Sequence, residues 1–139
     1  MRQVRARNQR ASQGDLAGAV GDAQALAGGV EEATRRVALA RAAIATATGD
    51  RDRALSPGAA LAGLASLARL ERYLRRLRHQ LDDAERELVR AEARHRGQLD
   101  AVEVARGRLA RARAEREIIE RHFAAWRAER RKLAERRED

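Results

Sequence analysis

The 139-residue chain has no cysteine, one proline, and a single tryptophan, tyrosine and phenylalanine. Each scarcity excludes something. Without cysteine there is no disulfide, no zinc–thiolate centre and no thiol nucleophile, and a reducing compartment suits the chain. With aromatics at only 2%, the large side chains that usually fill a globular core are missing. No stretch approaches the ~18 consecutive apolar residues of a membrane span. The start, from Met1 to Arg7, is basic but leads into no apolar segment, so no secretory signal is expected. These absences point to a cytoplasmic protein that does not insert into a membrane.

What the chain has is alanine, leucine, glutamate and arginine, with 37% charged residues. That composition with a seven-residue repeat marks a coiled coil. Stepping three then four residues from Leu67 visits Leu70, Leu74, Leu77, Leu81, Ala84, Leu88, Ala91, His95, Gln98, Val102, Ala105, Leu109, Ala112, Arg116, Ile119, Phe123, Trp126, Arg130 and Leu133. The repeat puts a narrow apolar stripe along one long helix, and such a stripe is buried only against another helix. At 1.5 Å per residue, a helix over 57–137 spans roughly 120 Å.

A second, weaker heptad precedes it: Leu16, Ala19, Ala23, Leu26, Val30, Ala33, Val37, Ala40, Ile44 and Ala47. Gly14, Gly18, Gly21, Gly28 and Gly29 weaken it, each by up to ~1 kcal/mol relative to alanine. This helix needs a partner. Ser12 or Asp15 serves as a start signal, and Thr48-Gly49-Asp50 as a stop. Ser56-Pro57 reads as a cap followed by proline at the first helical position. The expected organisation is a basic N-terminal segment over 1–11, helix 1 over 12–48, a connecting loop over 49–56 and helix 2 over 57–137. The fold class is all-α: a long antiparallel two-helix coiled-coil hairpin whose second helix is longer than the first. Folding near residue 52 sets Ile44 beside Leu61 and Leu16 beside Leu88. Residues 99–137 then overhang, with Val102, Leu109, Ile119, Phe123, Trp126 and Leu133 lacking an intramolecular partner. An exposed apolar stripe marks an interaction site.

The net charge of +9, with Lys132 the sole lysine, brings nucleic acid or an acidic protein surface into view. Arg2, Arg5, Arg7 and Arg10 make one end basic, and Arg106, Arg108, Arg111, Arg113, Arg127, Arg130, Arg131 and Lys132 do the same for the other. Glutamates interleave with these arginines to the end of the chain, unlike the nearly unopposed cations of basic zipper regions. Nucleic-acid binding is therefore expected to be nonspecific and salt-dependent. A membrane-surface helix is disfavoured because the apolar face is narrow and alanine-rich.

Phe123 and Trp126, with Ile119 a turn earlier, either fill a coiled-coil seam or anchor the helix in a groove of another protein. Arg116 and Arg130 fall at seam positions, where a cation is costly unless paired and often sets register. His79, His95 and His122 are too far apart on one helix to share a metal. Glu92-x-x-His95 has di-iron spacing but occurs once, where such centres need repeated copies. The pairs Glu71–Arg75, Asp82–Arg86, Glu92–Arg96 and Glu117–Arg121 have the favourable order for a solvated helix face. No phosphate loop, no nucleophile beside a base and no paired-carboxylate pocket is recognisable. Neither catalysis nor a cofactor is expected.

The tail Arg-Glu-Ile-Ile-Glu-Arg-His-Phe-Ala-Ala-Trp-Arg-Ala-Glu-Arg-Arg-Lys-Leu-Ala-Glu-Arg-Arg-Glu-Asp, from Arg116 to Asp139, resembles that of the small stalk proteins of bacterial type III secretion systems. These are the YscO/SctO group of the injectisome, related to flagellar FliJ. The resemblance implies a two-helix shaft whose terminal end enters the channel of a hexameric secretion ATPase. Its other end would face the export gate protein at the inner membrane, and secretion chaperones would be further partners. On matching positions, Ile118, Ile119, His122, Phe123, Trp126, Arg127, Arg130 and Leu133 would lie on the segment at the ATPase. The short, glycine-rich helix 1 departs from the family pattern. Two other expectations stay open: a self-associating coiled-coil scaffold, and a basic nucleic-acid-binding coiled coil.

Overall fold

A computed structural model describes residues 2–57 and 63–138 of the chain. Two helices make an all-α hairpin, α1 over Arg2–Leu55 and the longer α2 over Leu64–Glu138. The heptads explain why they pair. Every seam position from Leu16 to Ala47 on α1, and from Leu67 to Ala112 on α2, is buried or half-buried. No buried position is polar or charged among the described residues.

The chain divides into two compact units: Gln24–Arg96, and Met1–Ala23 with Gly97–Asp139. In the first, Ala47, Leu74 and Leu77 form a core against which Ala43 and Ile44 pack. The small alanines bring the backbones close enough for Leu74 to lose all its exposure. Arg41 donates to Glu85 at 2.8 Å, and Arg51 faces Glu71 at 3.6 Å, so ascending α1 meets descending α2. In the second unit, Ala23, Val102, Ala105 and Leu109 are buried. There the Gln98 Nε2 group donates to the Ala19 carbonyl at 3.1 Å, and Arg5 pairs with Glu115. Most of the remaining ion pairs are exposed contacts within one helix, each worth ~0–1 kcal/mol. The seam, rather than the charges, holds the hairpin.

Three sequence expectations are corrected. Helix 1 is not confined to 12–48: it begins at Arg2, taking in the basic N-terminal segment, and continues into the 49–56 stretch as far as Leu55. Gly49 and Asp50 do not stop it, because one exposed glycine costs a helix only ~1 kcal/mol. Flanking polar residues are also satisfied locally, Arg53 by Asp50 and Arg51 by Asp52. Pro57 follows the end of α1 instead of starting α2. The Ser56 N–H donates to the Arg53 carbonyl and its hydroxyl to the Asp52 carbonyl, closing the last turn, and proline cannot continue it. The start of α2 is instead set by Gly63, whose carbonyl accepts from the Ser66 and Leu67 amides.

The pairing register changes accordingly. Ile44 packs on the Leu74–Leu77 core, and Leu61 lies outside the described residues. The carbonyl of Ala19, one turn beyond Leu16, meets Gln98 instead of the Leu88 region. The expected overhang from residue 99 is therefore mostly paired. Val102, Ala105 and Leu109 are buried, Ile119 is half-buried, and every residue from Arg121 to Arg136 is exposed.

Candidate partner-binding site

The site starts where α1 begins. Gln9 accepts from Arg116 at 3.0 Å, and Arg116 also donates to Glu120 at 2.7 Å. The arginine at a seam position is thus satisfied at the edge of the paired region, with its side chain still partly in water. One turn on, Ile119 closes the hairpin seam. From there α2 continues with every residue from Arg121 to Arg136 exposed, its helical state supported by pairs such as Arg121–Glu117.

His122, Phe123 and Trp126 line a shallow hollow of about 480 Å³ on this exposed segment. The Phe123 and Trp126 rings meet edge to face, with centroids 6.2 Å apart at 74°. That is the arrangement the ring quadrupoles favour, and it follows from i, i+3 spacing on one helix face. The Arg130 guanidinium lies 5.2 Å from the Trp126 ring, a cation–π contact one turn further on. Phe123 is 39% and Trp126 52% exposed. Large aromatic area is thus kept in water by a preformed, cation-flanked cluster. Between Arg121 and Glu138 seven arginines and lysines face three glutamates, so the field around it is positive.

Of the residues singled out from the sequence, His122, Phe123, Trp126 and Arg130 come together. Leu133 is exposed on the same stripe, and Arg127 is exposed one position beyond Trp126. Ile119 belongs to the hairpin seam, and Ile118 is exposed off the stripe. Two contributors at the edge of the site were missed, Arg5 and Gln9 of α1. Their signal was present: stepping the first heptad backwards from Leu16 visits Ser12, Gln9 and Arg5 in phase.

No family model, curated protein or solved structure matches the chain. Its chemistry must be judged on its own residues. Among the described residues no three histidine, aspartate or glutamate side chains gather as a metal site. None of the described helices is long and apolar enough to cross a membrane. The exposed segment offers apolar area, π-faces and fixed positive charge, which are means of recognition.

Proposed function

We propose that this chain is a central stalk protein of a bacterial type III secretion export apparatus. It docks on a hexameric secretion ATPase through the exposed end of α2 and links that ring to the export gate, acting without catalysis of its own. The observation that carries the proposal is the solvent-exposed Phe123–Trp126–Arg130 cluster on a cationic stretch of α2. A ring with an acidic lumen would take such an end, and aromatics with arginine are the usual anchors of an interface. The resemblance of the tail from Arg116 to Asp139 supports the same assignment. Under it the protein is cytoplasmic, is held at the inner membrane by the export apparatus, and has secretion chaperones as further partners.

The test is ATP hydrolysis by a secretion ATPase with and without the chain. Stimulation by wild type is expected, and Phe123→Ala/Trp126→Ala should weaken it several-hundredfold in apparent affinity, as roughly 2 kcal/mol for each of the two lost anchors implies. Unchanged stimulation by the double variant rejects the docking site, and no stimulation by wild type rejects the stalk. A second possibility, a self-associating scaffold, draws on one observation: Phe123, Trp126, Arg130 and Leu133 keep the heptad phase of the hairpin seam. Two such segments would bring Arg130 into a shared seam, where cations repel. A sedimentation mass that stays monomeric as concentration rises eliminates the scaffold.

A further inference from the structure

Fifteen consecutive residues around the turn, 54–68, carry no charge in a chain that is 37% charged. At its edges Leu55 is 60% and Leu64 is 87% exposed, so both helix ends next to the turn hold leucine in water. The composition then reverses. From Arg69 to Arg78 there are five arginines, followed by His79, against the single acid Glu71. Arg51 of α1 lies 3.6 Å from that acid and neutralises it.

Arg69, Arg72, Tyr73 and Arg76 recur three and four residues apart, which puts them on one face of α2, turned away from the seam of Leu70, Leu74 and Leu77. Tyr73 is exposed among them, with the Arg76 guanidinium 5.8 Å from its ring. Arg69 donates only to the Ser66 hydroxyl, at 3.2 Å, and among the described residues none of these arginines is ion-paired. Two exposed leucines at neighbouring helix ends, with a collar of arginines outside any ion pair and a tyrosine, thus sit on one unit of the chain, Gln24–Arg96.

We propose that this end of the unit, where α1 closes and α2 opens, docks directly on an anionic lipid bilayer. Leu55 and Leu64 would enter the headgroup boundary, while Arg69, Arg72 and Arg76 would meet lipid phosphates and Tyr73 the interface between them. Each part suits that solvent. Apolar side chains gain by leaving water at the acyl boundary, arginines keep their charge at headgroup depth, and tyrosine favours the layer where one end is apolar and the other wet. The alanine-rich seam that disfavours a surface-lying helix is on the other face and is not needed. A nucleic-acid phosphate backbone would also attract the arginines, but it offers the two leucines nothing. The lipid surface accounts for both halves of the feature.

The test uses the full chain alone, so its result is independent of any secretion ATPase. The chain is co-sedimented with vesicles of phosphatidylcholine, or of phosphatidylcholine mixed with phosphatidylglycerol. Binding to the mixed vesicles only is expected. Arg72→Gln/Arg76→Gln should lower partitioning by roughly tenfold or more, whereas Arg72→Lys/Arg76→Lys should keep it within about threefold. Leu55→Ser/Leu64→Ser should weaken it too, with helicity checked by circular dichroism for each variant. Equal binding to both vesicles, or indifference to the glutamine pair, overturns the proposal. Capture of an oligonucleotide with no vesicle binding overturns it in favour of nucleic acid.

Discussion

Replacing Leu74 by alanine is expected to destabilise the hairpin by about 2–5 kcal/mol, the range for leucine removed from a site that cannot collapse. Among the described residues Leu74 is the one large side chain with no exposure at all, and its neighbours are Ala47, Leu77 and the half-buried Ala43 and Ile44. Alanines on the facing helix have no rotamers with which to fill the space, so the cavity would remain. In a two-layer structure no second shell of core residues compensates. Thermal unfolding followed by far-ultraviolet circular dichroism reads the effect. Leu39→Ala, at an exposed position on α1, is the control and should stay within about 0.5 kcal/mol of wild type. Equal losses at the two positions would mean that the seam around Leu74 is not where stability resides.

The opposite effect is expected from the glycines of α1. Gly14, Gly18, Gly21, Gly28, Gly29 and Gly49 all lie within the helix, and a Cβ added at any of them meets nothing within 4 Å. Alanine is better than glycine in a helix by roughly 0.5–1 kcal/mol per site, because the unfolded chain loses less freedom. Gly49 stands apart, whereas Gly14, Gly18 and Gly21, and Gly28 and Gly29, each lie within about a turn of the next, so about 3–6 kcal/mol is the upper bound on the gain of the sixfold variant. Its melting temperature should rise well above that of wild type. No rise would mean that α1 uses these bare backbone stretches against something outside the chain, and partner binding by the variant would then fall.

The seam was readable almost residue by residue because burial in a coiled coil depends on phase alone. Leu16 to Ala47 and Leu67 to Ala112 are buried or half-buried as the heptads require. The helix ends were not readable, since stop signals are weak where tertiary pairing pulls the other way. Gly49-Asp50 looks like a terminus, yet the seam phase runs on through Arg51 and Ala54, both half-buried. Arg5, Gln9 and Ser12 likewise keep phase with polar side chains, which hydrophobicity alone does not register. The misplaced turn shifted the pairing register, and the expected overhang was too long as a result. The aromatic cluster survived that error because Phe123, Trp126 and Arg130 depend only on spacing within one helix.

Trp126 is the sole tryptophan, half exposed beyond the paired seam beneath the Arg130 guanidinium. The intrinsic fluorescence of this protein is therefore a local gauge. Its emission should be that of a wet indole in the folded chain and should change little as the seam around Leu74 melts, leaving the signal almost silent to unfolding. Any blue shift on mixing with a tryptophan-free protein would report drying of the indole itself, so the chain carries a built-in optical probe on the proposed docking segment.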